Sequence, residues 1–137
     1  TLSLRIALWI IALVAVDQST KLLIRLTELS KNLSFLSIHY VQNTGAGFSI
    51  LTGQNTLLTI LACIALGALL YWRAHVPRSA FICIAAGIIG NVIDRIAYGF
   101  VVDFIDLGWW PIFNIADSLI VIGVLIILLY EFLSKKS

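Results

Sequence analysis

Charge is the scarcest commodity in this 137-residue chain: Asp, Glu, Lys and Arg make up 12% of it, against 61% hydrophobic residues. A soluble domain carries roughly 25% charge and about 45–50% apolar residues. So few charges cannot cover a water-facing surface, so the mean hydropathy of +1.04 points to lipid as the main solvent. Methionine is absent, and the expectation is that an initiator residue or tag has been removed. The two cysteines, Cys63 and Cys83, fall inside apolar runs and read as small buried hydrophobes. There is no CxxC pair, no Cys/His cluster, no HExxH metal motif and no GxSxG nucleophile elbow. The two histidines, His39 and His75, are expected in separate loops on opposite sides of the membrane, which argues against a Ser–His pair. No metal or cofactor is expected. A net charge of +2 is too small to suggest a nucleic-acid partner or a polybasic membrane tether.

What is present is apolar sequence in lengths that suit membrane crossing, since a span needs about 20 mostly apolar residues. Four spans are expected, at roughly 4–26, 56–72, 79–97 and 111–133, within one domain over residues 1–137. Arg5 and the apolar Ile6–Val16 outline a secretory leader, but Leu13-Val14-Ala15 is a poor cleavage site, so the segment is expected to stay in the mature protein. Leu36, Ile38 and Tyr40 alternate with Ser37, His39 and Val41, and Asn43–Gly47 reads as a tight turn. A small β-like surface segment is therefore expected over roughly 35–48.

Four spans place the termini and the 73–78 loop on one side. That side holds Arg5, Arg73, Arg78, Lys135 and Lys136 against Lys21, Arg25, Lys31 and Arg95 on the other. Lys21 and Arg95 sit within helices and are expected to be committed to local pairs. The positive-inside rule then favours cytoplasmic termini.

Six of the seven acids, Asp17, Glu28, Asp94, Asp103, Asp106 and Asp117, fall toward the other, outer side. An aspartate at mid-membrane costs roughly 2.5–3.5 kcal/mol on insertion scales, so buried ones suggest function. Asp17 and Lys21 stand at i and i+4 and can pair. Cys83, Gly87, Gly90, Asn91 and Asp94 form one helical stripe; its glycines allow close approach of a neighbouring backbone. Asp94-Arg95 reads as an ion pair closing that stripe. Asn114, Asp117 and Ser118 share a face, with Asp117 expected about two turns into the last helix. Asp103 lies in Val101-Val102-Asp103-Phe104, just beyond the third span. The short connection between these blocks can bring Asp103 and Asp117 together at similar depth. Two adjacent carboxylates tend to share one proton, which suits activation of water for peptide hydrolysis. Paired acids also suit a small proton-coupled transporter. A non-catalytic scaffold built on the small-residue stripe would leave Asp103 and Asp117 unexplained.

Five blocks carry a family resemblance: Asp17-Gln18-Ser19-Thr20-Lys21, Asn43–Phe48, Gly87–Arg95, Val101–Phe104 and Phe113–Asp117. In this order they resemble the bacterial lipoprotein signal peptidases, or signal peptidase II. The departures are Gly47 in place of the usual Ala, Ala86-Gly87 in place of Gly-Gly, and a short Gly108–Pro111 stretch. The resemblance implies an all-α membrane protein of four helices with a small β-cradle at the outer surface. It implies an aspartic endopeptidase whose catalytic pair is Asp103 and Asp117. Support falls to Asp17, Lys21, Asn43, Gly45, Gly87, Asn91, Asp94, Arg95, Asn114 and Ala116. The implied substrate is a prolipoprotein bearing diacylglycerol on its lipobox cysteine, cut just before that cysteine. The implied setting is the inner membrane of a bacterium, as a monomer among lipids. Because no metal-ligand motif exists in the sequence, excess EDTA is expected to leave cleavage of such a precursor unchanged; complete loss on chelation would contradict this.

Overall fold

In the computed structural model, which describes residues 2–46 and 51–135, the chain folds into four α-helices and a three-stranded antiparallel sheet. The first helix, α1 (Leu2–Thr27), has no internal Gly or Pro and ends at Glu28, which takes a left-handed φ of 47°. The strands β1 (Lys31–Leu33) and β2 (Leu36–Asn43) follow as a hairpin. Next come α2 (Asn55–Tyr71), a 3-10 turn at Arg73–His75, α3 (Arg78–Tyr98), β3 (Val101–Asp106) and α4 (Ile115–Ser134). Three helical segments, Ser3–Thr27, Arg78–Tyr98 and Ile115–Ser134, are long and apolar enough to cross a membrane, while the apolar α2 has 17 residues. At 1.5 Å per residue α2 extends about 25 Å.

The sheet differs from expectation in its third strand. The surface segment expected over 35–48 supplies β2, and residues 47–48 lie outside the described ones. The run holding Asp103, given no strand by its short apolar pattern, pairs with β2 as β3. Its register sets Val41 opposite Asp103, Gln42 opposite Val102 and Asn43 opposite Val101. Val101, Val102 and Phe104 are buried, and a short, continuously apolar strand carries no alternation to reveal it. Gly99 makes β3 possible. It closes α3 with φ 78° and donates its N–H to the Arg95 carbonyl at 3.1 Å, a left-handed cap that suits glycine.

The last helix also starts later than residue 111. Phe113 is still extended, exchanging backbone hydrogen bonds with Ile105, and helix begins only after Asn114. Asp117 is thus in the first turn of α4, not two turns in. Asn114 forms a capping box with it, which fixes the boundary more strongly than hydropathy does.

Small residues let α3 and α4 approach closely. A Cβ on Gly87 would run into the Ala116 carbonyl oxygen and come within 2.6 Å of Ile120 Cγ1. One on Gly90 would sit 2.6 Å from Asp17 Oδ2, so this glycine leaves room for a carboxylate. Gly123 of α4 is filled in the same way by Ile84 and Ala80 of α3. Such contacts serve in lipid, where helix association depends on packing and hydrogen bonds rather than hydrophobic exclusion. Outside this seam the helices are apolar and exposed, and α2 buries no residue. For that reason Cys63 on α2 faces outward and Cys83 is only half-buried, unlike the buried placement expected of both.

The packing gives a direct comparison. Gly87→Ala is expected to destabilise the fold by about 1–3 kcal/mol, the usual cost of overpacking. Gly67→Ala in α2, where a Cβ meets nothing within 4 Å, is expected to be neutral or stabilising by up to about 1 kcal/mol. Thermal denaturation in detergent measures both; equal effects would contradict the seam.

Candidate active site

Lys21 organises the buried polar cluster. On α1 it stands one turn after Asp17, and its Nζ lies 2.9 Å from Asp17 Oδ2, 3.0 Å from Asp94 Oδ2 and 3.0 Å from Asn91 Oδ1. An ammonium has three donors and no acceptor, so these contacts use its full capacity. Both carboxylates have further partners. The Ala116 N–H donates to Asp17 Oδ1 at 2.8 Å, so Asp17 occupies the positive end of α4. Asp94 accepts from the Val102 N–H at 3.0 Å and from Gln18 Nε2 at 2.9 Å. Gln18 also reaches Asp17 and the Gly90 carbonyl. Thus α1, α3, β3 and α4 converge on one ammonium.

The expected ion pair between Asp94 and Arg95 does not form: Asp94 turns inward to Lys21. Neighbouring helical residues diverge by about 100° around the axis. Arg95, only half-buried, borders a cavity of about 370 Å³ shared with Asn43, Asn91, Asp103 and Asp117.

The two aspartates meet on Asn114. Its side-chain amide donates to Asp103 Oδ1 at 2.7 Å, and its backbone N–H donates to Asp117 Oδ2 at 3.1 Å. The remaining oxygens are also held, Asp103 Oδ2 by Asn43 Nδ2 at 2.8 Å and Asp117 Oδ1 by Asn91 Nδ2 at 2.8 Å. Asn91 cannot turn its amide round without loss, because its oxygen accepts from both Lys21 and Asn114. Asn43 is fixed in turn by the Gly45 N–H, which donates to its side-chain oxygen at 2.9 Å. Of the twelve residues expected as catalytic or supporting, ten therefore lie in this cluster, Arg95 borders its cavity and Gly87 lies in the seam beside it.

Gln18 was not singled out. Its signal was its position between Asp17 and Lys21, yet an uncharged amide in a polar block looks like solvated surface. His39 stands in β2, with Nε2 3.8 Å from Asp106 Oδ2, and His75 in the 3-10 turn; neither touches the cluster.

Burial with Asp117 nearby governs the protonation of Asp103. Loss of water raises its carboxyl most, and the Asp117 charge adds to that. The hydrogen bonds from Asn43 and Asn114 and the charge of Lys21 pull the other way, and the group comes out pushed up to about 7. The pair can therefore hold one proton between them near neutral pH.

Fold and cluster define a class: a mostly helical membrane protein with two hydrogen-bonded carboxylates, Asp103 buried and Asp117 half-buried, where a strand meets a helix N-terminus. The family model described as Signal peptidase (SPase) II matches residues 9–133. A lipoprotein signal peptidase from Syntrophomonas wolfei is 47% identical, with 74% of this chain and 71% of the relative covered. One from Halothermothrix orenii is 34% identical over 93% of this chain and 94% of the relative. A solved bacterial membrane enzyme superposes with a TM-score of 0.86 at 36% identity, covering 97% of this chain and 90% of its own. The chain belongs to the signal peptidase II family.

A carboxyl whose pKa is raised on folding binds more protons in the native state, so it costs stability as pH rises from its usual 3.8 through about 7. Asp103→Asn is expected to flatten that decline in thermal denaturation across this window. It should also remove a protonated-carboxyl infrared band present at pH 6. An unchanged band and an unchanged pH slope would contradict the raised value.

Proposed function

We propose that this protein is an aspartic endopeptidase that removes signal peptides from diacylglyceryl-modified prolipoproteins, cutting just before the lipidated cysteine. One observation carries the proposal: Asn114 holds a carboxylate oxygen of both Asp103 and Asp117 beside a cavity large enough for an extended peptide. The ionised member of the pair takes a proton from water as the oxygen attacks the scissile carbonyl, and the protonated member donates to the carbonyl oxygen. The carboxyl protonated by that water then gives its proton to the departing amide nitrogen, while the other carboxylate takes a proton back from a hydroxyl of the tetrahedral intermediate as the carbonyl re-forms, which returns the pair to a single shared proton. Arg95, on the rim of the same cavity, supplies a fixed positive charge for substrate backbone carbonyls. Lys21 and Asp17 do no chemistry; they fix Asn91 and the start of α4, and so the angle between the two carboxyls.

The lipid on the substrate has a counterpart in the fold. A groove of about 370 Å³ runs from Asp117 along α4 between Trp109, Trp110, Phe113, Val121 and Ile122. Val121 and Ile122 are exposed at the end away from Asp117, and an acyl chain lies there while the cysteine reaches the pair. In this reading α2 crosses as the fourth span, the termini are cytoplasmic, and the site faces the outer side of a bacterial inner membrane, with the enzyme acting as a monomer. A proton-coupled transporter would need titratable groups along both halves of the helices. Here the buried acids gather at one end, and the facing halves of α3 and α4 bury Ala80, Phe81, Ala85 and Gly123.

With purified protein and a diacylglyceryl-modified precursor, Asp103→Asn and Asp117→Asn should each lower kcat on the order of 10³-fold or more while the helical circular dichroism is kept. Retained cleavage in either folded variant would remove that residue from the chemistry.

A further inference from the structure

At the end of the molecule away from the aspartates, a second cavity of about 270 Å³ is lined by Ile6, Arg73, Ala74, Val76, Arg78 and Phe81. It lies where the start of α1, the 3-10 turn and the start of α3 meet. Along α3 the thirteen steps from Arg78 to Asn91 rise about 20 Å, so the cavity is separate from the site described above.

Its lining has two chemistries. Ile6, Val76 and Phe81 give an apolar floor, with Phe81 buried. Arg73 and Arg78, both exposed, line its wall, and among the described residues neither forms an ion pair with a carboxylate. Arg5, one residue before Ile6, adds a third positive charge nearby in sequence. Guanidinium groups match phosphate oxygens with paired N–H donors. Immediately before Arg73, the exposed rings of Tyr71 and Trp72 pack edge to face at 5.3 Å, as aromatic residues do at the level of lipid headgroups. One turn along each flanking helix, Trp9 of α1 and Leu70 of α2 are exposed.

We propose that this cavity binds the phosphodiester of an anionic phospholipid, clamped between Arg73 and Arg78, with the acyl chains lying along Trp9 of α1 and Leu70 of α2. A free phosphate ion would use only the guanidinium groups and leave the apolar floor and the aromatic pair without a role. A zwitterionic headgroup would set its own ammonium among unpaired arginines. The apolar floor under the charges therefore favours an anionic lipid.

The test is native mass spectrometry and thermal shift on the full chain in neutral detergent, titrated with phosphatidylglycerol, phosphatidylcholine or inorganic phosphate. The wild type is expected to retain phosphatidylglycerol on the order of tenfold better than phosphatidylcholine, with the preference shrinking at high salt. Arg73→Gln/Arg78→Gln should abolish that preference, and Lys31→Gln, at the other end of the molecule, should keep it. If the double variant does not fold, either single variant should still lower the preference severalfold. An unchanged preference in the folded variants would overturn the proposal. So would stabilisation by inorganic phosphate equal to that by the lipid, which would mark a simple anion site. Because neither arginine touches the aspartate cluster, cleavage in phosphatidylcholine should be the same for wild type and double variant.

Discussion

Everything around the aspartate pair depends on a buried ammonium. Lys21 is 2% exposed and faces two carboxylates and an amide oxygen. Removing one partner from a buried ion pair typically costs about 3–5 kcal/mol, because an uncompensated charge remains. The arrangement is therefore demanding: α1, α3, β3 and α4 must all arrive for any one of these charges to be tolerated. A network this complete specifies one geometry, since a half-satisfied one would be worse than an apolar core. The positions of Asn91 and of the start of α4 follow from it, and through them the positions of Asp117 and Asp103.

Under the proposed mechanism, the charges that hold the fold are separate from the pair that reacts. Asp17 and Asp94 face Lys21 directly and accept backbone N–H groups. Asp103 and Asp117 are held instead by neutral amides, from Asn43, Asn91 and Asn114. A neutral donor orients a carboxylate without committing it to the ionised form as strongly as a cation would. Burial can then raise Asp103 to about 7, where a carboxyl is useful as an acid near neutral pH. The same logic explains why the site lies at the end of the helices: a sheet edge, a helix N-terminus and a glycine cap supply backbone donors that a mid-membrane site would lack.

Much of this was readable from residue order, because costly charges in apolar sequence have few explanations. Asp17, Lys21, Asn91 and Asp94 stood out through spacing on helical faces, and the helices through their apolar length. What escaped was set by tertiary structure. β3 is a continuously apolar strand that gains its identity from pairing with β2. Asn114 read as a helical residue because capping and helical faces share the same three-residue spacing to Asp117. The pairing of Asp94 with Lys21 rather than Arg95 depends on which way α3 is turned, which an adjacent sequence position does not reveal. Gln18 escaped because an amide signals nothing until its partners are placed.

The central claim is that Asp103 and Asp117 work as a pair sharing one proton. It is tested most directly by kcat/KM against pH for the wild-type enzyme with a diacylglyceryl-modified precursor. The account predicts a bell-shaped profile whose upper limb falls near pH 7, where Asp103 loses its proton. A rate that stays flat from acid pH through that limb, in protein that remains folded, would contradict it.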